Sequence, residues 1–202
     1  YKTFTVPGGQ KYQCRSAVVE GDWSQAAFWL AAGCLNGNII CAGAEAASLQ
    51  GDRAVKDILQ AMGGKISSAD GGLLAETSRL HGTVIDAADC PDIIPVLTVA
   101  AAVAEGTTEI INAGRLRIKE CDRLHAISEE LNKLGADIEE KAESLIVHGK
   151  PEGLRGGVVS AWNDHRIAMS MAVASLVCRE PVIIEGSESV KKSYPTFWQD
   201  FS

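Results

Sequence analysis

The stretch Val158-Val159-Ser160-Ala161-Trp162-Asn163-Asp164-His165-Arg166-Ile167-Ala168-Met169 decides how this chain folds. A short β-branched run ends at an aspartate. The chain then continues from Ile167 to Cys178 without a charge and enters a second β-branched run, Val182-Ile183-Ile184. Short β-branched runs read as strands, and a helix that is apolar nearly all round must lie inside a protein rather than on its surface. The unit is therefore strand, aspartate, buried helix, strand.

Upstream the same unit occurs twice more. One copy runs Val18-Val19-Glu20, Asp22, a helix from Ala26 to Leu35, and Ile39-Ile40; the next runs Thr83-Val84-Ile85, Asp92, Ile93 to Ala104, and Ile110-Ile111. The three aspartates stand 70 and 72 residues apart, a period longer than any solenoid repeat. Behind the first two units comes a more polar helix. Asp52 to Met62 has Val55, Ile58, Leu59 and Met62 at near-helical spacing, and Asp122 to Leu134 has Leu124, Ile127, Leu131 and Leu134. Both polar helices begin Asp-Arg and end in glycine (Gly63, Gly135), which is how helices commonly start and stop. The third copy stops early, at Tyr194 to Phe201. The expected fold class is α/β: one domain over residues 1–202, with three pseudo-symmetric repeats whose buried helices form a common core under sheets. Lys141 to Ser144 and Gly149 to Gly157 read as surface loops.

Composition narrows the function. At 202 residues and 46% hydrophobic content the chain can bury a substantial core. Net charge of −7 without a Lys/Arg cluster disfavours nucleic acid, whose phosphates demand a basic surface. The apolar runs are too short to cross a bilayer, and the opening Tyr1-Lys2-Thr3 is unlike a signal peptide, so a soluble cytoplasmic protein is expected. Six cysteines at 14, 34, 41, 90, 121 and 178 show neither CxxC nor a His partner at zinc spacing, which points to reduced thiols and no metal. Glycine-rich phosphate fingerprints are missing.

Chemistry must then come from scattered side chains. Asn163-Asp164-His165-Arg166 heads a helix, where unpaired backbone N–H groups and the positive end of the dipole favour anions. A structural reading is equally open: Asn163 or Asp164 caps the helix and Arg166 pairs with a neighbouring acid. The second copy carries Arg115-Leu116-Arg117-Ile118-Lys119-Glu120-Cys121-Asp122-Arg123, whereas the first has Glu45-Ala46-Ala47-Ser48-Leu49-Gln50-Gly51-Asp52-Arg53. A scaffold requirement should appear in every repeat. Asp-Arg, common to both, reads as capping, and Lys119 with Glu120 reads as special to a site. Lys119 could bind phosphate as a point charge, Arg123 could grip a carboxylate bidentately, and Glu120 could transfer protons. Lys191 and Lys192 supply cations at the matching place in the third copy. Asp92, in Pro91-Asp92-Ile93, is either an N-cap or a site carboxylate. His81, His125 and His148 read as solvent-facing, and Trp23, Trp29, Trp162 and Trp198 as packing residues outside the site.

Taken together these residues resemble the enolpyruvyl transferases, and within them the branch acting on shikimate 3-phosphate. The resemblance rests on Arg117-Ile118-Lys119-Glu120-Cys121-Asp122-Arg123-Leu124, Asn163-Asp164-His165-Arg166-Ile167-Ala168-Met169, Val19-Glu20-Gly21-Asp22, Pro91-Asp92 and Lys192-Ser193-Tyr194-Pro195. It implies two similar domains, each an inside-out α/β barrel of three repeats, with the active site between them. This chain corresponds to the C-terminal one, its partner being the N-terminal domain. The implied reaction moves the carboxyvinyl group of phosphoenolpyruvate to the 5-hydroxyl of shikimate 3-phosphate and releases phosphate, without metal or organic cofactor. By position, Asp92 would accept the hydroxyl proton and Lys119 would touch shikimate 3-phosphate. Glu120 would handle the proton at the phosphoenolpyruvate methylene, and Arg123, Arg166 and Lys192 would bind phosphoenolpyruvate with His165 beside them. Glyphosate is expected to compete there, and the chain alone is expected to be inactive. Cys121 stands where the family more often has Ser or Thr, and Arg115 where some members have Asn. The branch acting on a UDP-amino sugar shares the threefold repeat, and a non-catalytic domain that docks a partner is the reading of a different kind.

Overall fold

The computed structural model describes residues 2–14, 16–45 and 47–202. Tyr1 and Ala46, which figure in the sequence comparisons above, lie outside them. In chain order the elements are α1 (Trp23–Asn36), β1 (Asn38–Ala42), α2 (Ala54–Ala61), β2 (Lys65–Ala69), β3 (Gly72–Glu76), β4 (Val84–Asp86), α3 (Ile94–Ala102) and β5 (Thr107–Ile111). They continue with α4 (Arg123–Lys133), β6 (Ile138–Glu140), β7 (Leu145–His148), β8 (Gly157–Ser160), α5 (His165–Ser175), β9 (Val182–Glu185) and α6 (Phe197–Phe201). Short 3-10 turns at Gly51–Arg53, Gly114–Ile118 and Ser187–Lys192 stand at corresponding places in the three repeats.

The charge-free helices are buried as their composition requires. All nine residues of α3 are buried, as are ten of the eleven in α5. α1, α3 and α5 pack on one another, and sheets cover them: α1 lies against β1 and β3, α3 against β7, and α5 against β9. Burying these side chains is the main stabilising term, worth about 1.5–3 kcal/mol for each fully buried Leu, Ile or Val. The polar helices lie outside. α4 buries Leu124, Ile127 and Leu131 and exposes His125, while α2 buries Val55 and Leu59. Gly63 (φ +92°) and Gly135 (φ +94°) follow these two helices in left-handed conformations that side chains rarely adopt.

Among the described residues the strands form three sheets, β1-β3-β2, which is antiparallel, β4-β5-β7-β6, which is mixed, and the parallel pair β8-β9. In the second and third repeats the strands flanking the buried helix pair in parallel, Val84 with Glu109 and Gly157 with Val182. The hairpin strands pair antiparallel. Among the described residues the sheets are not joined into a closed barrel.

One expected strand does not form. Val18-Val19-Glu20 reads as a strand in the sequence, yet it joins no sheet beside β1 as β4 and β8 do beside β5 and β9, and Val18 and Val19 are 99% and 91% exposed. A single rung, Gly21 N to Gly43 O at 3.0 Å, marks where the ladder would start. A strand persists only where one face is covered, and no described residue covers these valines.

The C-terminal tail closes onto the first repeat. Trp29 of α1 meets Tyr194, Phe197 and Phe201 with ring centroids 6.4, 5.7 and 6.1 Å away, so the expected packing role of Trp29 anchors the segment that carries Lys192. No helix among the described residues is long and apolar enough to cross a membrane. All six cysteines are free thiols.

Candidate active site

Three aspartates introduce the three buried helices, and they do different work. Asp22 caps α1, accepting from Ser24 N at 2.9 Å, and Asp164 caps α5, accepting from Arg166 N at 2.8 Å. Asp92 caps nothing. α3 starts after Ile93 with Pro95 in its first turn, where a missing N–H costs little, and the Asp92 carboxylate is left to face cations. Its Oδ1 accepts from Arg123 Nη1 at 2.8 Å and Lys119 Nζ at 3.1 Å, and its Oδ2 from Arg166 Nη2 at 3.3 Å. The sequence left Asp92 between an N-cap and a site carboxylate, and the geometry excludes the cap.

Arg123 is the hub of the cluster, with a side chain only 1% exposed. Nε reaches Asp164 Oδ2 at 2.7 Å, Nη1 reaches Asp92, and Nη2 reaches Glu120 Oε2 at 2.6 Å and Asp164 Oδ1 at 3.3 Å. Arginine's rigid fork makes four hydrogen bonds to three carboxylates at once, one more than the three donors of an ammonium allow. The Asp-Arg pairs expected to be equivalent caps therefore diverge. Asp122 does cap α4, accepting from His125 N at 3.0 Å, whereas Asp52 lies inside its 3-10 turn and caps nothing with its side chain.

Both structural roles considered for the α5 head are present, since Asp164 caps and Arg166 pairs with Asp92. Beyond that pair, Arg166 Nη2 also reaches Ser24 Oγ at 3.3 Å, while its Nε and Nη1 and the Nδ1 of His165 are buried with no hydrogen-bond partner among the described residues. Unpaired buried donors are costly, about 1–3 kcal/mol each, and a ligand oxygen would relieve them. Lys192 Nζ donates to the carbonyl of Asn163, bringing the tail to the same loop.

Electrostatics follow from this packing. Burial pushes the Asp92 carboxyl up, but Arg166, with Lys119 and Arg123, outweighs it and holds it below the usual range. Asp164 behaves likewise: burial opposes, and Arg123 wins. Burial, then the Arg166 charge, lowers His165, so the ring is neutral near pH 7. Burial and the charge of Asp164 push the Cys121 thiol up to about 12, and its Sγ donates to Asp164 Oδ2 at 3.5 Å.

Several residues near the site were not singled out as site residues. The Asp52 carboxyl is pushed up to about 6 by burial and then by the charge of Asp92, with Arg166 opposing, which puts it beside the cluster. A side chain on the neighbouring Gly51 would meet Asp89 O at 2.6 Å, so this turn must approach the Asp92 loop closely. Gln50 ties the start of α1 in place, accepting from Trp23 N and donating to Gly21 O, both at 2.9 Å. The signal for Asp52 was available in the alignment of the first repeat on the second; for Ser24 and Gln50 no sequence signal stands out. Arg115 and Arg117 hold neighbouring loops: Arg115 donates to Ala88 O at 3.1 Å, and Arg117 pairs with Asp122 and Glu140. His125 and His81 are exposed and His148 half-buried.

Lys119, Glu120, Arg123, Asp92, His165, Arg166 and Lys192 thus come together from two repeats and the tail, beside the N-terminal ends of the buried helices. The chain is therefore an α/β protein with a partly buried cluster of cations and carboxylates at the heads of its uncharged helices. The family model for EPSP synthase (3-phosphoshikimate 1-carboxyvinyltransferase) matches residues 1–201, and the chain belongs to this family. It is 55% identical over 200 residues to the 3-phosphoshikimate 1-carboxyvinyltransferase of Clostridium acetobutylicum, covering 99% of this chain and 46% of that protein. Against its counterpart from Clostridium kluyveri it is 53% identical over 201 residues, covering 100% and 47%. The solved EPSP synthase of Acinetobacter baumannii superposes with a TM-score of 0.76 at 29% identity, covering 90% of this chain and 45% of that one. The chain spans about half the length of these relatives.

Proposed function

We propose that this chain is the C-terminal half of an enzyme that transfers the carboxyvinyl group of phosphoenolpyruvate to the 5-hydroxyl of shikimate 3-phosphate, releasing phosphate. The observation that carries the reading is Asp92 shared among Lys119, Arg123 and Arg166, beside an Arg166 with two unsatisfied donors. Arg166 offers Nε and Nη1 to the carboxylate or phosphate of phosphoenolpyruvate, and Lys192 joins it from the tail. Lys119 contacts shikimate 3-phosphate. Asp92 accepts the proton of the attacking hydroxyl and Glu120 handles the proton at the methylene carbon, with fixed cations stabilising the tetrahedral adduct between addition and elimination.

The electrostatics give this scheme an order of events. With three cations on it, Asp92 is a weak base. Anionic substrates that draw Lys119 and Arg166 toward themselves remove that stabilisation and raise the basicity of Asp92 when the hydroxyl is present. Arg123, enclosed by Asp92, Glu120 and Asp164, keeps its place as an organiser, and its contact with phosphoenolpyruvate requires Glu120 to swing aside.

In this reading residues 1–202 form one domain, an inside-out barrel of three repeats, whose partner is an N-terminal domain of similar fold; the enzyme works in the cytoplasm, without metal or organic cofactor, and glyphosate competes for the phosphoenolpyruvate cations. The test is to mix the chain with a matching N-terminal half and measure phosphate release from phosphoenolpyruvate. Release that needs both halves and shikimate 3-phosphate is expected. Turnover by the chain alone, or a complex of both halves that is folded yet inert, would refute the proposal.

A further inference from the structure

Glu130 is a fully buried carboxylate on α4 that the scheme above does not use. Its Oε1 accepts from Trp162 Nε1 at 2.6 Å and from Lys133 Nζ at 2.9 Å, and its Oε2 accepts from the backbone N of Ser160 at 3.0 Å. Two of these bonds end on the turn that leads from β8 into α5. In that turn Trp162 and Asn163 are consecutive left-handed residues, φ +52° and +50°, a conformation that a bulky side chain rarely adopts. Such a pair persists only where its surroundings hold it.

The holding contacts can be traced. Besides the two bonds from Glu130, Trp162 N donates to Ser160 Oγ at 3.1 Å, Asp164 N donates to Ala161 O at 2.8 Å, and the His125 ring stands edge-on to Trp162 with centroids 5.6 Å apart. Directly after the turn come Asp164, His165 and Arg166, and the Asn163 carbonyl within it receives Lys192. α4 therefore grips this loop twice, through Arg123 on Asp164 and, two turns later, through Glu130 on Trp162 and Ser160. Three donors converge on Glu130, and only an acceptor-only group serves all of them; a glutamine would turn an NH2 toward at least one.

We propose that Glu130 is a positioning residue for the site: its carboxylate holds the left-handed Trp162–Asn163 turn, and the turn sets where His165, Arg166 and the Lys192-binding carbonyl stand. The consequence for turnover rests on the substrate reading above; the consequence for loop geometry does not.

Two variants test it. Glu130→Gln keeps the volume and removes the charge, and Trp162→Phe keeps a ring against His125 while removing the indole donor. The first readout is the NMR titration of His165 in this chain. Facing it are Asp164 and Arg166 from its own helix, Arg123 from α4, and Glu120 just before α4. In folded variants His165 should titrate closer to the ordinary value of about 6.5. An unchanged His165 in both variants would overturn the proposal. The second readout is kinetics in the full-length enzyme. A displaced Arg166 should cost about 10- to 100-fold in kcat/KM for phosphoenolpyruvate while KM for shikimate 3-phosphate stays within about twofold. A lower melting temperature with the His165 titration, both KM values and kcat all unchanged would mean that Glu130 only stabilises the fold, and would likewise overturn it. A His165 that moves while phosphoenolpyruvate kinetics do not would support the clamp and count against the substrate reading instead.

Discussion

Replacing Arg123 with methionine should be among the most damaging single changes in this chain, and the damage should depend on pH. Methionine keeps the apolar stem and deletes the guanidinium, leaving Asp164, 0% exposed, with Arg166 N and the Cys121 thiol as its only hydrogen-bond donors among the described residues. Removing one partner of a buried pair costs about 3–5 kcal/mol, because the remaining charge stays buried without compensation. In a domain of this size that corresponds to a melting temperature lower by roughly 6–20 °C. The pH dependence follows from Asp164. In the wild type its carboxyl is depressed despite burial, so it contributes stability that is present above the unfolded value of about 3.9 and is lost as pH falls through the folded value. Without Arg123, burial is opposed only by the weaker Arg166 N bond and the His165 charge, and the carboxyl should rise above its unfolded value. The variant therefore takes up a proton and recovers as pH falls, and the gap to wild type narrows. Urea unfolding followed by circular dichroism near pH 7 and at about pH 4.5 measures both terms. Arg117→Met is the control, since its pairs with Asp122 and Glu140 are partly exposed and should be worth less than about 1 kcal/mol. If Arg123→Met cost no more than Arg117→Met near pH 7, or if its deficit widened toward acid, the assignment of Arg123 as the hub would be wrong.

Other outcomes follow from the same packing. Asp52→Asn should stabilise the chain near pH 7 by on the order of 1 kcal/mol, because a carboxyl raised to about 6 is ionised there at a cost; the gain should shrink as pH falls below about 6 and vanish only near the unfolded value of 3.8, and a constant gain across the range would exclude this account. Trp29→Ala should release the tail that carries Lys192, so limited proteolysis should cut within 187–202 well before the repeats; uniform digestion would argue that the aromatic contacts are incidental. Leu97→Ala, in the middle of the wholly buried α3, should cost about 2–5 kcal/mol, against under about 0.5 kcal/mol for Ile118→Ala, whose residue is 84% exposed. Equal losses in calorimetry would contradict the placement of α3 at the core.

Much of the site was readable as chemistry but not as geometry. Lys119 and Glu120 stood out because the first repeat lacks them, and His165 and Arg166 because they head an uncharged helix. The sequence could not say that Arg123 would bind carboxylates drawn from separate repeats. Its bonds to Asp92 and Asp164 span 31 and 41 residues, and such pairings leave no periodic trace. Asp52 was read as a cap because Asp122 is one. The two diverge because Gly51 lets the first turn sink against the Asp89 carbonyl. Trp162 packs against the core as its residue type suggests, and its indole N–H in addition binds Glu130 beside a left-handed turn, which no sequence signal announced.

What the residues determined by themselves was the repeat, the burial of three uncharged helices and the glycine-ended outer helices, because hydrophobic periodicity and local backbone preference act over a few residues. Only the folded chain decided the rest. Val18 and Val19 stayed outside any sheet because strand formation depends on a covering face, and Asp92 served cations rather than a helix end because α3 begins one residue too late for it to cap. Which carboxylate meets which cation is a matter of side chains brought together across the core, and that distance-dependent balance of burial against charge exists only in three dimensions.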